Sequence, residues 1–214
     1  MLEKGSLLSI AYFPPIQYFT KIIFCPEIFI EKFENFSKQS YRNRCEIYGA
    51  NGLQTMVIPV KKNSGRKAVI TDIEIDYDTN WQKLHFKSIE SAYKSSPFYE
   101  FYIDDIIPFY QEKEIFLFDL NYKTICFVLK ALELKRKIKF TSEYFFEIPD
   151  NLIDCRNIIH PKESKKKKDK YFDPVSYNQV FINKYGFIPN LSIIDLLFNE
   201  GPNSEENLRK CCNL

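Results

Sequence analysis

The opening of the chain constrains its fold more than any other stretch. An apolar run, Leu7 to Tyr12, meets the pair Pro14-Pro15 and gives way to Ile16 to Phe24, where Phe19, Ile22 and Ile23 recur on one helical face. Proline is tolerated in a first helical turn, where its missing N–H has no partner to lose, so the pair marks a helix start. The chain therefore begins as a buried strand, a turn and a helix.

The later patterns continue this interleaving. Ile28 to Phe33 reads as a second strand, and Arg44 to Tyr48 and Gln54 to Val60 flank Gly49-Ala50-Asn51-Gly52 as a hairpin with a four- to five-residue turn. Val69 to Ile75 reads as another strand. Asn80 suits the N-cap of a helix that carries Trp81, Leu84, His85, Ser88, Ile89 and Ala92 at helical spacing and stops near Ser95-Ser96-Pro97. A helix after Asn121 places Ile125, Val128, Leu129 and Leu132 on one face, and Ile138 to Thr141 reads as a strand. Near the end, Ser192 to Asn199 forms a short helix closed by Gly201-Pro202, and another helix starts at Glu205. The expected fold is α/β: a mixed, mostly parallel sheet with flanking helices and a β-hairpin insertion, in a single domain over residues 1–214. Within it, residues 149–177 read as a mobile loop, because Pro149, Pro161 and Pro174 bracket the run Lys165 to Lys168.

Composition removes several function classes. Thirty basic and 28 acidic residues leave a net charge of +2, too little to draw the whole protein to nucleic acid, and the lysine run reads as a solvated loop. No stretch approaches the roughly 20 apolar residues of a spanning helix, so membrane insertion is not expected. The six cysteines form no CxxC pair, and Cys211-Cys212 falls in what reads as a frayed tail. With two histidines, no metal centre is expected. A reducing, cytoplasmic setting follows. Aromatic residues reach 16%, a supply of stacking surface for rings and sugars.

Four constellations carry chemistry. Arg42, Asn43 and Arg44 set two guanidinium groups two residues apart, suited to phosphate or carboxylate; an ion-pair network with Glu31 or Glu34 explains them equally well. Tyr12, Gln17 and Tyr18 surround the first turn, at the strand end where open α/β sheets bind ligands, although the two prolines remove donors there. His85, four residues after Trp81, is either a general base or a hydrogen-bonded core histidine. Ser192, Asp195 and Asn199 form a polar stripe that normally faces solvent. His160 and Lys162 lie in the irregular stretch, where they either cover a site or meet water. No dinucleotide or P-loop motif is present, and the residues name no cofactor.

Ala11-Tyr12-Phe13-Pro14-Pro15-Ile16-Gln17-Tyr18-Phe19, Asn43-Arg44, Val57-Ile58-Pro59-Val60, Trp81 with His85, Tyr93 to Phe98, and Asn190 to Asn199 together resemble the WbqC-like family in order and spacing across most of the chain. His160-Pro161-Lys162 and Tyr177 to Phe181 resemble its Bacteroidetes branch. Gln17 departs from the small residue usual at its position. The resemblance implies a role in bacterial surface-polysaccharide (O-antigen) biosynthesis: transfer of an acyl or aminoacyl (glycyl-type) group to a nucleotide-linked amino sugar. The implied partners are that nucleotide sugar or a glycan precursor and an activated acyl donor. On that expectation Arg42 and Arg44 hold phosphate beside Asn43 and Asn199, Tyr12, Tyr18 and Trp81 form walls, His85 takes the amine proton, and Asp195 orients it or binds a sugar hydroxyl. The alternative is a non-catalytic glycan-binding or assembly protein of the same pathway.

Overall fold

The computed structural model describes residues 2–61, 68–162 and 167–213. Its centre is the expected opening. Strand β1 (Gly5–Ser9) runs into helix α1 (Ile16–Phe24), whose nine residues are all buried. Parallel strand β2 (Ile28–Glu31) pairs with β1 in the register Ser6 to Ile28 through Ser9 to Glu31. Two three-residue strands, β5 (Ile138–Phe140) and β6 (Leu152–Asp154), complete a parallel sheet in the order β5-β2-β1-β6. Gly5 is required in this sheet: a Cβ there would come within 2.7 Å of the Leu152 side chain and 3.0 Å of the Glu27 carbonyl.

Between β2 and β5 lie the hairpin β3 (Arg44–Gly49) and β4 (Gly52–Val57), which forms its own two-stranded sheet, and four helices: α2 (Trp81–Tyr93), α3 (Tyr99–Ile106), α4 (Pro108–Gln111) and α5 (Leu117–Ala131). After β6 come α6 (Ile182–Tyr185), α7 (Ile193–Glu200) and α8 (Ser204–Lys210). Helix α1 is enclosed because α7 and α8 pack on it. The architecture is the expected α/β single domain with a hairpin insertion and flanking helices.

Several details differ from the sequence expectation, each for a local reason. Gly49 and Gly52 pair across the ladder, so the hairpin turn is the two residues Ala50-Asn51; Gly52 permits this with φ of +99°. The expected strand Val69 to Ile75 is a 3₁₀ turn at Ile70–Asp72 with isolated bridges around it. Its isoleucines are buried, but the backbone groups of Ile70 and Ile75 bond to two different segments, at Glu34 and Ile115, so no ladder forms. Leu84 is 63% exposed, and Asn80 makes no side-chain capping bond. Helix α5 begins four residues before Asn121. The stretch 149–177 contributes β6 to the sheet; of the lysine run, Lys165 and Lys166 lie outside the described residues. The tail is tied down: Phe172 bridges to Cys212, and Cys211 is buried. No helix among the described residues is long and apolar enough to cross a membrane.

Candidate functional site

The chain leaves β1 through α1 toward β2 on one side, while β6 lies on the other. Connections therefore diverge at the carboxyl end of β1, the place where open parallel sheets form a ligand crevice. Here the structure has a small cavity of about 10 Å³, room for roughly one water, lined by Ser9, Tyr18, Tyr41, Arg42, Cys155 and Arg156 among others. Beside it opens a cleft of about 720 Å³. Tyr41 lines both spaces, and the consecutive residues Ile159 and His160 line one each.

The inner cavity is built from compensated charge. Arg42 bonds Glu34 through Nε (2.9 Å) and again through Nη2, which also donates to Ser9 Oγ at 2.7 Å. Burial pushes the Glu34 carboxyl pKa up, against the lowering effect of Arg42. The backbone carbonyl of Arg42 accepts a bond from Asn121 Nδ2 on α5 at 2.7 Å, so the arginine is held at both ends. Arg156 forms a fork to Asp154 (both 2.9 Å), reaches Glu31 at 3.3 Å and covers the Tyr144 ring. Two arginines thus face three carboxylates, and this end has no excess positive charge.

The outer cleft has walls from four segments. The hairpin supplies Glu46, whose Oε2 accepts a bond from Tyr41 OH at 3.3 Å, together with Leu53. The segment after β6 supplies His160, Lys167, Lys168, Asp169 and Phe172, and the approach to α7 supplies Ile188, Pro189 and Asn190. The floor is Gln17 of α1, which donates through Nε2 to Asp169 at 2.8 Å. Asp169 also pairs with Lys21 at 2.6 Å in a buried salt bridge. His160 Nδ1 accepts the N–H of Lys162 at 3.0 Å, which places the proton of the neutral ring on Nε2.

The first turn of α1 is not an open anion site. The N–H of Ile16 bonds to Leu191 O, and that of Gln17 to Asn190 Oδ1 at 2.9 Å. Asn190 can cap in this way because it adopts a left-handed backbone, φ +56°. Phe13 is held at φ +35°, unusual for an aromatic residue, with its carbonyl accepting Ser192 Oγ.

Most of the residues singled out from sequence fall into three groups, and Asn43, Arg44 and Lys162 line neither space. Gln17 and His160 line the cleft, and Tyr18 and Arg42 the inner cavity. Tyr12, Trp81 and His85 form a separate buried cluster: Tyr110 OH lies 2.6 Å from Tyr12 OH, Tyr12 OH lies 3.2 Å from His85 Nδ1, and His85 Nε2 lies 3.2 Å from Val57 O. A ring that donates to Val57 and accepts from Tyr12 satisfies all these contacts. Burial lowers the His85 pKa to about 4, so it is neutral at pH 7. Asp195 and Asn199 form the third group. The stripe expected to face solvent is buried, with Asp195 wholly enclosed and bonded by Tyr93 OH (2.8 Å), Tyr177 OH (2.6 Å) and Gln179. Burial raises the Asp195 pKa to about 6 in spite of these donors. Asn199 donates to the carbonyl of Asp195. Asn43 supports Ile58 O through Nδ2, and Arg44 is half-buried with no bonded partner for Nε among the described residues. The four constellations therefore do not converge on one pocket.

Tyr41, Glu46, Arg156 and Asp169 were not singled out from sequence, and Asn190 stood out only as the first residue of a family motif. One signal was available: Lys21 stands inside a helix whose other residues are mostly apolar, and a buried lysine requires a carboxylate. No group of three or more His, Cys, Asp or Glu side chains among the described residues is arranged to hold a metal ion.

Comparison with known proteins agrees with the resemblance drawn from the motifs. The uncharacterized protein Rv1507c of Mycobacterium tuberculosis is 25% identical over 232 residues, an alignment covering 98% of this chain and 99% of that protein. No solved structure matches. The family model for the WbqC-like proteins matches residues 11–162 and 163–207, and the chain belongs to the WbqC-like protein family.

Proposed function

We propose that the protein binds a nucleotide-linked amino sugar in the Tyr41 cleft and transfers an acyl or aminoacyl group to its amine, as a step in bacterial surface-polysaccharide biosynthesis. The observation that carries this is the cleft: about 720 Å³ of space beside the sheet's switch point, lined by the Glu46 carboxylate, by Lys167 and Lys168, and by the rings of Tyr41 and Phe172. A zwitterionic ligand matches such a distribution. The ammonium of an amino sugar suits a carboxylate, its phosphates suit lysines, and its ring packs on aromatic faces. The test incubates the protein with a UDP-linked amino sugar and an activated acyl or aminoacyl donor, and reads the N-acylated sugar by mass spectrometry. Product that disappears on Tyr41→Ala and Glu46→Gln, both variants remaining folded, is the expected result.

A second reading is favoured by a specific observation. His85, the base expected from sequence, is committed at both ring nitrogens within the core and does not line the cleft. A pathway protein that holds the sugar without reacting it would need no base. Tight binding of the nucleotide sugar with no product from any acyl donor supports that alternative.

A further inference from the structure

Lysines suit the ligand's phosphates in general, but Lys167 and Lys168 take part in no contact described above, and the cleft is lined by acidic and neutral side chains as well. We infer that Lys167 and Lys168 are the anion-reading wall: they take the diphosphate of the bound ligand and turn its sugar inward toward Tyr41. This rests on the nucleotide-sugar reading of the cleft.

Three observations lead there by elimination and by position. Of the two guanidinium groups expected to hold phosphate, Arg44 lines neither the inner cavity nor the cleft; Arg42 is already neutralised by Glu34, and Arg156 beside it by Asp154 and Glu31, so an anion entering the inner cavity would meet no surplus positive charge. The start of α1 offers nothing either, because its prolines lack donors and its free N–H groups are taken by Leu191 and Asn190. Lys167 and Lys168, by contrast, line the cleft, are exposed, and make no ion pair among the described residues.

Surface lysines alone would be weak support, but the backbone carrying these two is anchored. The next residue, Asp169, is locked onto α1 by the buried pair with Lys21 and by Gln17, side chains that are 2% and 1% exposed. Immediately beyond, Asp173 N–H bonds to Cys211 O and Phe172 bridges to Cys212. The lysines are thus presented to the cleft from a segment fixed on both the helix and the tail. Their ammonium groups, on flexible stems, act as point charges suited to a phosphate chain.

The experiment is a calorimetric titration of UDP-glucosamine into the wild-type protein and the Lys167→Gln/Lys168→Gln double variant at several salt concentrations, with free glucosamine as a second probe. Both substituted residues are exposed, so folding is preserved. The expected result is that the double variant binds UDP-glucosamine about tenfold more weakly, with a flatter salt dependence, while free glucosamine binds both proteins alike. Equal affinity and equal salt dependence in the two proteins would overturn the lysine assignment while leaving the cleft's ligand intact. Absence of UDP-glucosamine binding to the wild type would overturn both.

Discussion

Removing the carboxyl of Asp195 should change how stability depends on pH, and in a direction opposite to removing His85. In the unfolded chain Asp195 ionises near its ordinary value of 3.8, whereas in the folded protein burial holds it to about 6. Between these values the native state binds a proton that the unfolded state has released, so stability falls as pH rises from about 4 to 6 and the loss is complete above pH 6. A gap of this size corresponds to about 3 kcal/mol. For His85 the order is reversed. Its ordinary value of 6.5 drops to about 4 on folding, the unfolded state holds the extra proton, and stability rises with pH across the same range by about 3 kcal/mol. The two contributions nearly cancel in the wild type between pH 4 and 6. The assay is urea unfolding at intervals from pH 4 to 7 for the wild type, Asp195→Asn and His85→Gln. Relative to wild type, Asp195→Asn should gain about 3 kcal/mol of stability between pH 4 and 6, and His85→Gln should lose a similar amount over the same interval. Other titrating groups are common to all three proteins and drop out of the differences. Curves that run parallel to wild type across pH 4 to 6 would refute the burial, without a charged partner, assigned to both groups.

Other perturbations test the packing of the fold. Gly201→Ala should destabilise by about 2–4 kcal/mol in the same unfolding assay, because the residue has φ +52° and a Cβ would lie 2.4 Å from the Phe98 ring. Asp169→Asn leaves Lys21 buried without its counter-charge and should cost about 3–5 kcal/mol, with Lys21→Met/Asp169→Asn recovering much of the loss; equal stability of the single variant and wild type would contradict the clasp. Asn121→Ala frees the Arg42 carbonyl inside the protein and should cost about 1–3 kcal/mol by denaturant titration.

What the sequence disclosed depended on how local the determining contacts are. β1, α1 and α7 are readable because a strand-proline-helix opening and a Gly201-Pro202 stop are signals within a few neighbouring residues. α3 carries Tyr99, Tyr102, Ile103 and Ile106 at helical spacing, but its aromatic and β-branched residues also suit strands, and the segment gives no N-cap bond to mark its start. β6 is three residues long, too short for periodicity, and exists because β1 pairs with it. The stripe on α7 misleads for a different reason: a polar face means solvent only when one side of a helix is covered, and here Tyr93 of α2 and Tyr177 close over Asp195 from other parts of the chain. The clasp of Lys21 with Asp169 likewise joins residues far apart in sequence, so the helix shows the need for a partner without naming it.

On the proposed function, ligand meets the protein in the Tyr41 cleft and not at the His85 cluster. Hydrogen exchange read by mass spectrometry, with and without saturating UDP-glucosamine, tests it most directly. Protection centred on peptides spanning 41–46, 155–161, 167–174 and 188–190, with the 81–93 helix unchanged, is the predicted result. Protection centred on 81–93, or none at any ligand concentration, would contradict it.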